Sequence, residues 1–293
     1  MKHAFLIMAH NEPEVLALLL ELLDDSRNDI YLHIDRRAKA LRARFSAWRP
    51  ARAGYVLLDK PLAVCWGDLS QVAVEYRLLE AAAARGPYAY CHLLSGVDLP
   101  LKTQDAIHAF FDSHAGAEFV GYWTSPDHRR DLERRVSRYY LFTRHLRDKG
   151  TLAHALAAPV RNVCLALQKA FRFRRPWDYD FQKGYNWASL TQPCCDYLIR
   201  EKENVMRRFR MTLAPDEIFL PTLVWESPFR DSVYDRDDPN RGSMRLIDWE
   251  RGHPYVWRDG DFEALLRSPA CFARKFSAAS PDLLRRLRQA LSG

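Results

Sequence analysis

Short apolar runs alternate with leucine-rich segments through the first third of the chain. The first run covers residues 4–9, and residues 13–23 follow it with leucines at helical spacing. Similar apolar runs recur at residues 30–34, 55–58 and 88–94. Strands that are apolar throughout, rather than at alternate residues, are typical of a parallel sheet covered by helices on both faces. The pattern therefore predicts an α/β fold built on a mostly parallel sheet.

Polar residues follow three of these runs. His10 follows the first, Asp35 and Arg36 follow the second, and Ser95 and Asp98 follow the last. Ligands of open parallel sheets bind at the carboxyl ends of the strands. We therefore expect these five side chains to line a binding site.

Further elements are predicted along the rest of the chain. Strands are predicted at residues 118–122, 185–190 and 244–247, and helices at residues 41–48, 69–84, 103–111, 152–173 with an interruption at Pro159, 193–203 and 281–291. The chain shows no internal repeat and no long linker. We therefore expect one domain over residues 1–293, with a basic helical insertion at about residues 127–175.

Positive charge is concentrated in that insertion. The chain has a net charge of +7, whereas residues 127–175 alone contain thirteen Lys or Arg and four Asp or Glu. Such a segment indicates an anionic partner. The apolar residues of its helix at 152–173 fall largely on one side. That side either packs on the sheet or approaches anionic lipid headgroups, which would give a peripheral membrane contact.

No targeting or membrane-spanning pattern is found. No apolar run approaches the ~20 residues that a membrane span needs, and the six cysteines form no C-x-x-C pair. We expect reduced thiols and a cytoplasmic protein, at most peripheral on the inner face of the membrane.

Residues 211–225 carry the candidate general base. Pro215 suits a first helical position, and the acids Asp216 and Glu217 after it meet the positive end of the helix dipole. The residues that follow are mostly apolar, so partial burial is expected to raise the pKa of an acid there. Neighbouring helical positions point about 100° apart, so one acid at most faces a reacting atom. We predict Glu217 as the base and Asp216 as a capping partner; the alternative is that both acids only stabilise a helix start.

Several catalytic classes are disfavoured by the motifs that the chain lacks. G-x-G-x-x-G, G-x-x-x-x-G-K-[S/T], G-x-S-x-G and H-E-x-x-H are absent. Asp-x-Asp spacings occur only late, at Asp178, Asp235 and Asp259, where turn chemistry is common. We therefore expect no metal cofactor, so positive side chains must stabilise a leaving diphosphate. The candidates for this role are Arg245, Arg251, Arg258, Arg274 and Lys275.

Six motifs together resemble the core-2/I-branching enzyme family. This is glycosyltransferase family fourteen, which also contains the peptide O-xylosyltransferases, and the chain looks like a bacterial-type member. The motifs are M-A-H-N at 8–11, H-I-D-R at 33–36, C-W-G-D-L-S at 65–70, H-L-L-S-G-V-D-L-P-L-K at 92–102, A-P-D-E at 214–217 and F-A-R-K-F at 272–276. They occur in family order and span nearly the whole chain.

The resemblance implies a GT-A type fold, a UDP-sugar donor, inversion at the anomeric carbon and no metal requirement. The family's catalytic glutamate falls on Glu217, and its diphosphate lysine falls on Lys275 with Arg274 beside it. A second family arginine has no clean match, so Arg251 or Arg258 substitutes for it. The remaining expected positions are Asp35 at the uridine, His10, Trp66 and Gly67 in the same pocket, and Trp123, Trp187 and Asp216 on the acceptor side.

The resulting hypothesis is sugar transfer from a UDP-sugar to a hydroxyl of a glycan or lipid-linked acceptor. Glu217 takes the hydroxyl proton, UDP departs toward Lys275, and the two residues share one cleft. N-acetylglucosamine and xylose are the candidate sugars. Asn186 stands where the xylosyltransferase branch tends to have an aspartate, which counts against peptide O-xylosyl transfer. That activity is kept as an alternative because F-A-R-K-F and the W-E-S-P run at 225–228 resemble that branch. A non-catalytic UDP-sugar or glycan-binding module is another, and no nucleic-acid partner is expected.

Overall fold

Four of the apolar runs form neighbouring parallel strands in the computed structural model, which describes residues 1–292. These strands are β1 (His3–Ala9), β2 (Asn28–Ile34), β3 (Gly54–Leu57) and β4 (Tyr90–Ser95). A fifth strand, β6 (Ser189–Thr191), pairs with β4 in the antiparallel direction, and the strand order is β3-β2-β1-β4-β6. The predicted α/β fold on a mostly parallel sheet is confirmed.

Helices connect and cover these strands. They are α1 (Pro13–Leu22), α2 (Lys39–Ser46), α3 (Ser70–Ala83), α4 (Gln104–Ser113), α5 (Pro126–Val136), α6 (Leu152–Ala170), α7 (Gln192–Arg200), α8 (Lys202–Arg208), α9 (Phe219–Trp225), α10 (Pro239–Ser243), α11 (Phe262–Arg267) and α12 (Pro281–Leu291). The Thr103 hydroxyl accepts a hydrogen bond from the Ala106 N–H and caps α4. No helix within residues 1–292 is long and apolar enough to cross a bilayer.

Two hydrophobic cores lie on opposite faces of the sheet, because side chains alternate along each strand. On β1, Leu6 and Met8 join a core with α3, α7 and α9. Phe5 and Ile7 join a second core with α1, α11 and α12. Burying a side chain of this size contributes roughly 1.5–3 kcal/mol. Both faces of the sheet are therefore covered, and polar residues remain at the strand ends.

A second sheet forms beside the carboxyl end of β4. It contains β5 (Asp98–Pro100), β8 (Phe272–Arg274) and β7 (Arg245–Ile247), in the order β5-β8-β7. Its register pairs Asp98 with Arg274. The late F-A-R-K-F motif thereby joins the carboxyl end of the parallel sheet.

Three predicted elements differ in the structure. Residues 118–122 make isolated bridges rather than a strand, because each of their partners belongs to a different loop or strand. The helix predicted at residues 193–203 is two helices, α7 and α8. Helix α6 continues through Pro159, where the lost hydrogen bond lies on an exposed side.

The basic segment contains α5 and α6, as expected for the helical insertion. Of the two alternatives for the apolar side of α6, packing on the sheet is not what the structure shows. That side is exposed, and the buried positions of the helix are Ala157, Arg161 and Gln168. The assignment of residues 1–293 to one domain stays a prediction.

Candidate active site

Glu217 ends a short 3-10 turn, Pro215–Glu217, that precedes α9. Two distant loops hold this turn in place. The Gly184 N–H donates to the Glu217 carbonyl (2.9 Å), and the Ala214 N–H donates to the Gly67 carbonyl (3.0 Å). A Cβ atom at position 184 would lie 1.9 Å from the Gly121 carbonyl oxygen, so the close approach requires glycine there. The backbone of the candidate base is therefore fixed by residues far away in sequence.

Two cations hold the Glu217 carboxylate. Arg135 Nη1 donates to Glu217 Oε2 at 2.7 Å, and Lys183 Nζ lies 3.8 Å from the same oxygen. Arg135 and Lys183 each also contact an Asp131 oxygen at 2.7 Å. These four side chains, Asp131, Arg135, Lys183 and Glu217, form what we call the cleft cluster. Its two carboxylates and two cations balance in charge.

The cleft cluster is partly shielded from water. The Lys183 and Arg135 side chains are 6% and 13% exposed, while Glu217 is 25% exposed. Burial raises the pKa of Asp131, but the hydrogen bond from Lys183 and the charge of Arg135 outweigh it and lower that pKa to about 2. Asp131 therefore stays ionised and keeps both cations beside Glu217.

Glu217 opens into a cleft of about 630 Å³. Aromatic rings form much of its wall. The Trp123 ring stands edge-on to Tyr185 (5.3 Å between centroids) and to Trp249 (5.8 Å). Lys183 Nζ lies 4.7 Å from the Trp123 ring centroid. A concave surface that combines several aromatic rings with convergent charges is typical of a small-ligand site. The predicted positions of Glu217 and Trp123 thus come together.

Asp216 points away from this cleft into the protein. It is buried, and its Oδ1 atom has no hydrogen-bond partner among the described residues. Burial raises the pKa of Asp216 to about 7, and the charge of Glu217 adds to the shift. The neighbouring Glu75 is fully buried, and burial and Asp216 raise its pKa well above its usual range. Asn186 lies close enough to Glu75 to lower its pKa in part, although neither Glu75 oxygen has a hydrogen-bond partner among the described residues. We call Glu75, Asp216 and Asn186 the buried carboxyl group.

The role of Asp216 as a capping partner is therefore wrong. No side-chain cap is present at the Pro215–Glu217 turn or at α9. The physical reason is that the turn is a 3-10 helix, whose geometry directs Asp216 inward. Burial raises the pKa of Asp216, the acid that lies inside the protein.

The expected uridine-side residues lie at the carboxyl ends of β1 and β2. Asp35 is buried, accepts the Val64 N–H (2.8 Å) and pairs with Arg37 (2.9 Å). Burial lowers the pKa of His10, while Asp35 raises it and Lys275 lowers it, so His10 lies within the electrostatic reach of both. These residues meet at one edge of the sheet, as predicted.

The Trp66-Gly67 loop links that edge to the turn of Glu217. The Trp66 ring is 46% exposed and stacks with Arg147, whose Cζ lies 3.8 Å from the ring centroid. Gly67 has φ +74° and accepts the Ala214 N–H noted above. Arg36 is exposed beside this loop and donates its backbone N–H to the Leu62 carbonyl.

Lys275 lines a different cavity from Glu217. That cavity measures about 510 Å³ and also contacts Asn11, Arg258 and Ser277. The segment of residues 256–258 separates the two, because Val256 and Arg258 face the Lys275 cavity while Trp257 faces the cleft. The Trp257 N–H donates to the Lys275 carbonyl at 2.9 Å. The expected convergence of Glu217 and Lys275 on one cleft is not what the structure shows.

The remaining cationic candidates already have partners. Arg251 pairs with Asp248 and Asp261. Arg274 lies 3.7 Å from Asp98 and packs over the Trp187 ring at 4.4 Å. Asp98 in turn accepts the Ser95 N–H and hydroxyl, so both residues are buried structural partners at the end of β4. Trp187 packs under Arg274 and does not line the cleft.

Arg245 does not reach a ligand site either. It is 1% exposed and donates to the Ala188 carbonyl and the Ser189 hydroxyl (2.8 Å each). Arg245 therefore joins β7 to β6 and cannot contact a diphosphate. Arg245 was a diphosphate candidate in the sequence because the pairing of the late strands is invisible in a linear pattern.

The sequence pattern overlooked three members of the cleft cluster. Asp131 and Arg135 are spaced for an ion pair on one helix turn, which is the only local signal for either residue. Lys183 precedes the close-packed Gly184 and has no local signal. Arg135 and Glu217 are 82 positions apart in the chain, so no local pattern could indicate their contact.

No group of three His, Cys, Asp or Glu side chains in residues 1–292 is arranged to hold a metal ion. Around Glu217 the groups are instead Arg135 and Lys183, which repel a cation. Turnover in EDTA, proposed below, tests whether the reaction requires a metal.

Comparisons with known proteins identify relatives along most of the chain. A model of the family described as Core-2/I-Branching enzyme matches residues 3–264. Xylosyltransferase 1 of Canis lupus familiaris is 22% identical over 296 residues, which cover 94% of this chain and 29% of the relative. Xylosyltransferase oxt of Drosophila melanogaster is 21% identical over 243 residues, which cover 80% of this chain and 24% of the relative. The chain thus spans less than a third of the length of these curated relatives.

Among solved structures, mouse xyloside xylosyltransferase 1 in its apo form is similar with a TM-score of 0.42 and 13% sequence identity. The match covers 93% of this chain and 96% of that one.

Proposed function

The chain belongs to the core-2/I-branching enzyme family, and from this premise we propose that it is an inverting glycosyltransferase. It would move a sugar from a UDP-sugar to a hydroxyl of a glycan or glycolipid acceptor. The observation that carries this proposal is the Glu217 carboxylate, held by Arg135 at 2.7 Å at the mouth of an aromatic cleft of about 630 Å³. An oriented carboxylate beside a cavity of ligand size is what a general base requires.

In the proposed reaction, Glu217 takes the proton of the acceptor hydroxyl. The hydroxyl oxygen forms a bond to the anomeric carbon while the bond from that carbon to the UDP oxygen breaks. UDP leaves with the bonding electron pair, and the configuration inverts. The cleft cluster gains one positive charge when Glu217 is protonated. The developing charge on the diphosphate compensates this gain if both lie at the same reacting centre.

The donor would bind at the carboxyl ends of β1 and β2, beside Asp35, His10 and Trp66. Lys275 would approach the diphosphate from the neighbouring cavity. The partition between the two cavities is the single segment of residues 256–258, and we propose that rotation of the flexible four-carbon stem of Lys275 brings its ammonium toward the diphosphate. Arg258 lines the same cavity as Lys275 and is the better candidate for a second cation, since Arg251 is paired twice.

Xylose and N-acetylglucosamine are the two sugars that we propose. The relatives named above are xylosyltransferases, which favours xylose. Asn186, at the position where the xylosyltransferase branch tends to carry an aspartate, lies beside Glu75 in the buried carboxyl group. A difference in this residue therefore acts on the turn of Glu217 from inside the protein rather than by contact with the acceptor.

The test is a screen for release of UDP from a set of UDP-sugars, with and without a mixed glycan acceptor. We expect consumption of UDP-xylose or UDP-N-acetylglucosamine, and unchanged turnover in EDTA. Loss of turnover in EDTA that manganese restores would contradict the metal-independent mechanism. A UDP-sugar that binds but is never consumed would instead identify a non-catalytic binding module.

We also propose that the basic segment makes a peripheral contact with an anionic membrane surface, where a lipid-linked acceptor would be found. Its excess of Lys and Arg supports that contact.

A further inference from the structure

Helix α6 turns its large apolar residues away from the protein. Ala157, Arg161 and Gln168 form its buried side. Six apolar residues, each at least 51% exposed, follow one another at intervals of three or four: Leu152, Leu156, Val160, Val163, Leu167 and Phe171. At 3.6 residues per turn they occupy an arc of about 100°. We call these six residues the outer stripe.

Single exposed apolar residues are ordinary, but a continuous stripe marks a surface that binds something. The outer stripe runs the full length of a 19-residue helix, which is about 28 Å at 1.5 Å per residue. Nothing in the described part of the chain covers it. A helix that exposes this much apolar surface to water loses the hydrophobic stabilisation that a partner would supply.

The charges around the outer stripe indicate the partner. From residue 149 to residue 177 the chain has six Lys or Arg and no Asp or Glu. Lys149, Lys169, Arg172 and Arg174 are exposed at the two ends of α6. Asp148 and Asp178 stand just outside these limits, but the helix itself carries no acid and cations are in excess at its ends. This is the composition of a helix that lies in the headgroup region of an anionic bilayer. A protein partner would have to supply every compensating acid.

Exposed aromatic residues also precede and follow the helix in the chain. Phe142, Phe173 and Trp177 are 50%, 49% and 45% exposed. Aromatic rings with a polar edge are favoured at the membrane interface, which suits Trp177 in particular.

We propose that the outer stripe inserts into the interfacial region of a bilayer that contains anionic lipid, so that α6 lies in the membrane plane. This inference rests on the peripheral membrane contact proposed above and is independent of the transfer step. It deepens that proposal because the apolar residues, and not only the cations, bind the membrane.

The same helix is attached to the elements of the cleft. Gln168 accepts the Tyr139 N–H at 2.8 Å and donates to the Tyr139 carbonyl at 3.0 Å, just after α5. Arg175 donates to the Thr212 hydroxyl at 3.0 Å, shortly before the turn of Glu217. A helix fixed in the membrane plane would thus set the orientation of the cleft toward the lipid surface.

The experiment is co-sedimentation with vesicles of phosphatidylcholine alone or mixed with phosphatidylglycerol, at low and high salt and without donor. The stripe variant combines Leu156→Gln, Val163→Gln and Leu167→Gln. Because these side chains are already exposed, the variant is expected to fold. We expect the wild type to bind the mixed vesicles, and the stripe variant to bind them at least about tenfold more weakly.

Two matched variants separate the contributions. Ala155→Gln with Asn162→Gln changes exposed residues of α6 outside the stripe and should bind as the wild type does. Lys169→Gln with Arg174→Gln should bind about 25-fold more weakly, at about fivefold per cation, and high salt should weaken the wild type similarly.

Three outcomes would overturn the inference. They are no binding of the wild type to mixed vesicles at low salt, equal binding of the stripe variant, and a wild-type dimer in solution that the stripe variant converts to a monomer. The last outcome would assign the stripe to a second copy of the chain. Turnover of a water-soluble acceptor is measured separately. A catalytic failure with intact vesicle binding would then contradict the proposed reaction and leave the membrane surface standing.

Discussion

Asp216 and Glu217 are neighbours in one turn, yet they lie in opposite environments. The Glu217 carboxylate meets Arg135 and Lys183 and opens to a cleft. Asp216 is buried next to Glu75, and one of its oxygens has no partner among the described residues. The contrast teaches that the chemistry of an acid depends on its surroundings. A group whose pKa is raised to about 7 is not automatically the base, since access to substrate comes first.

The largest effect is expected from Glu217→Gln, which tests whether Glu217 or Asp216 is the base. Glutamine keeps the size of the side chain but cannot accept the acceptor proton. We expect turnover to fall about 10³-fold, with UDP binding measured by calorimetry unchanged. Asp216→Asn is the matched variant and should keep turnover within about tenfold of the wild type. Full activity in Glu217→Gln together with an inactive Asp216→Asn would exchange the two assignments.

The burial of Asp216 should make the free energy of unfolding depend on pH. Below pH about 4 the folded and unfolded chains both hold the Asp216 proton. Between about 4 and 7 the unfolded chain releases this proton while the folded chain keeps it, so the free energy of unfolding falls as the pH rises. Above about 7 the effect is complete, at ~4 kcal/mol as an upper value.

Asp216→Asn should remove this fall, because an amide does not ionise. The difference in urea unfolding between wild type and variant, measured from pH 4 to 8, gives the effect of Asp216 together with its coupling to Glu75, whose pKa Asp216 raises. Glu118 is also buried with its pKa raised to about 7, but both proteins retain it and its effect cancels. A difference that stays constant over this range would show that Asp216 is not kept protonated by burial.

Arg135→Lys tests the bridge that Arg135 makes between Glu217 and Asp131. Arg135 bridges Glu217 and Asp131 with two separate N–H groups at 2.7 Å each. A lysine retains the charge but cannot reproduce this forked geometry. We expect turnover to fall about 30-fold with little change in donor affinity, since the loss of orientation acts on the transition state.

Arg134→Lys is the control for this variant. Arg134 contacts the same Asp131 but is more than half exposed and does not contact Glu217. Equal losses in the two variants would mean that the helix, and not the bridge to Glu217, is responsible.

The smallest effect is expected from Lys275→Ala, which changes a residue of the neighbouring cavity. If Lys275 approaches the diphosphate, the KM for the donor should rise or turnover should fall about tenfold. Arg258→Ala changes another cation of the same cavity and tests whether the two share the role. Unchanged kinetics in both variants would move the diphosphate contact to Arg135 and Lys183 in the cleft.

Much of the fold was predictable because its signals are local. The apolar runs of β1 to β4 and the Thr103 cap depend on residues within a few positions of each other. The strand-end positions of His10 and Asp35 follow from the parallel sheet itself. Glu217 lies at a cavity, and its role as the base stays a prediction. Its pairing with Arg135 was not predicted.

Most strands and helices could be predicted from the sequence, since backbone preference and apolar spacing act over short distances. The exceptions, such as residues 118–122, depend on partners far away in the chain. Which side of each segment faces the protein depends instead on how distant segments pack together. The packing turned the apolar side of α6 outward and directed Asp216 inward. It also placed residues 256–258 between Lys275 and Glu217. These choices depend on contacts between residues far apart in the chain, such as Gly184 with Glu217. No local pattern contains the energy of such contacts.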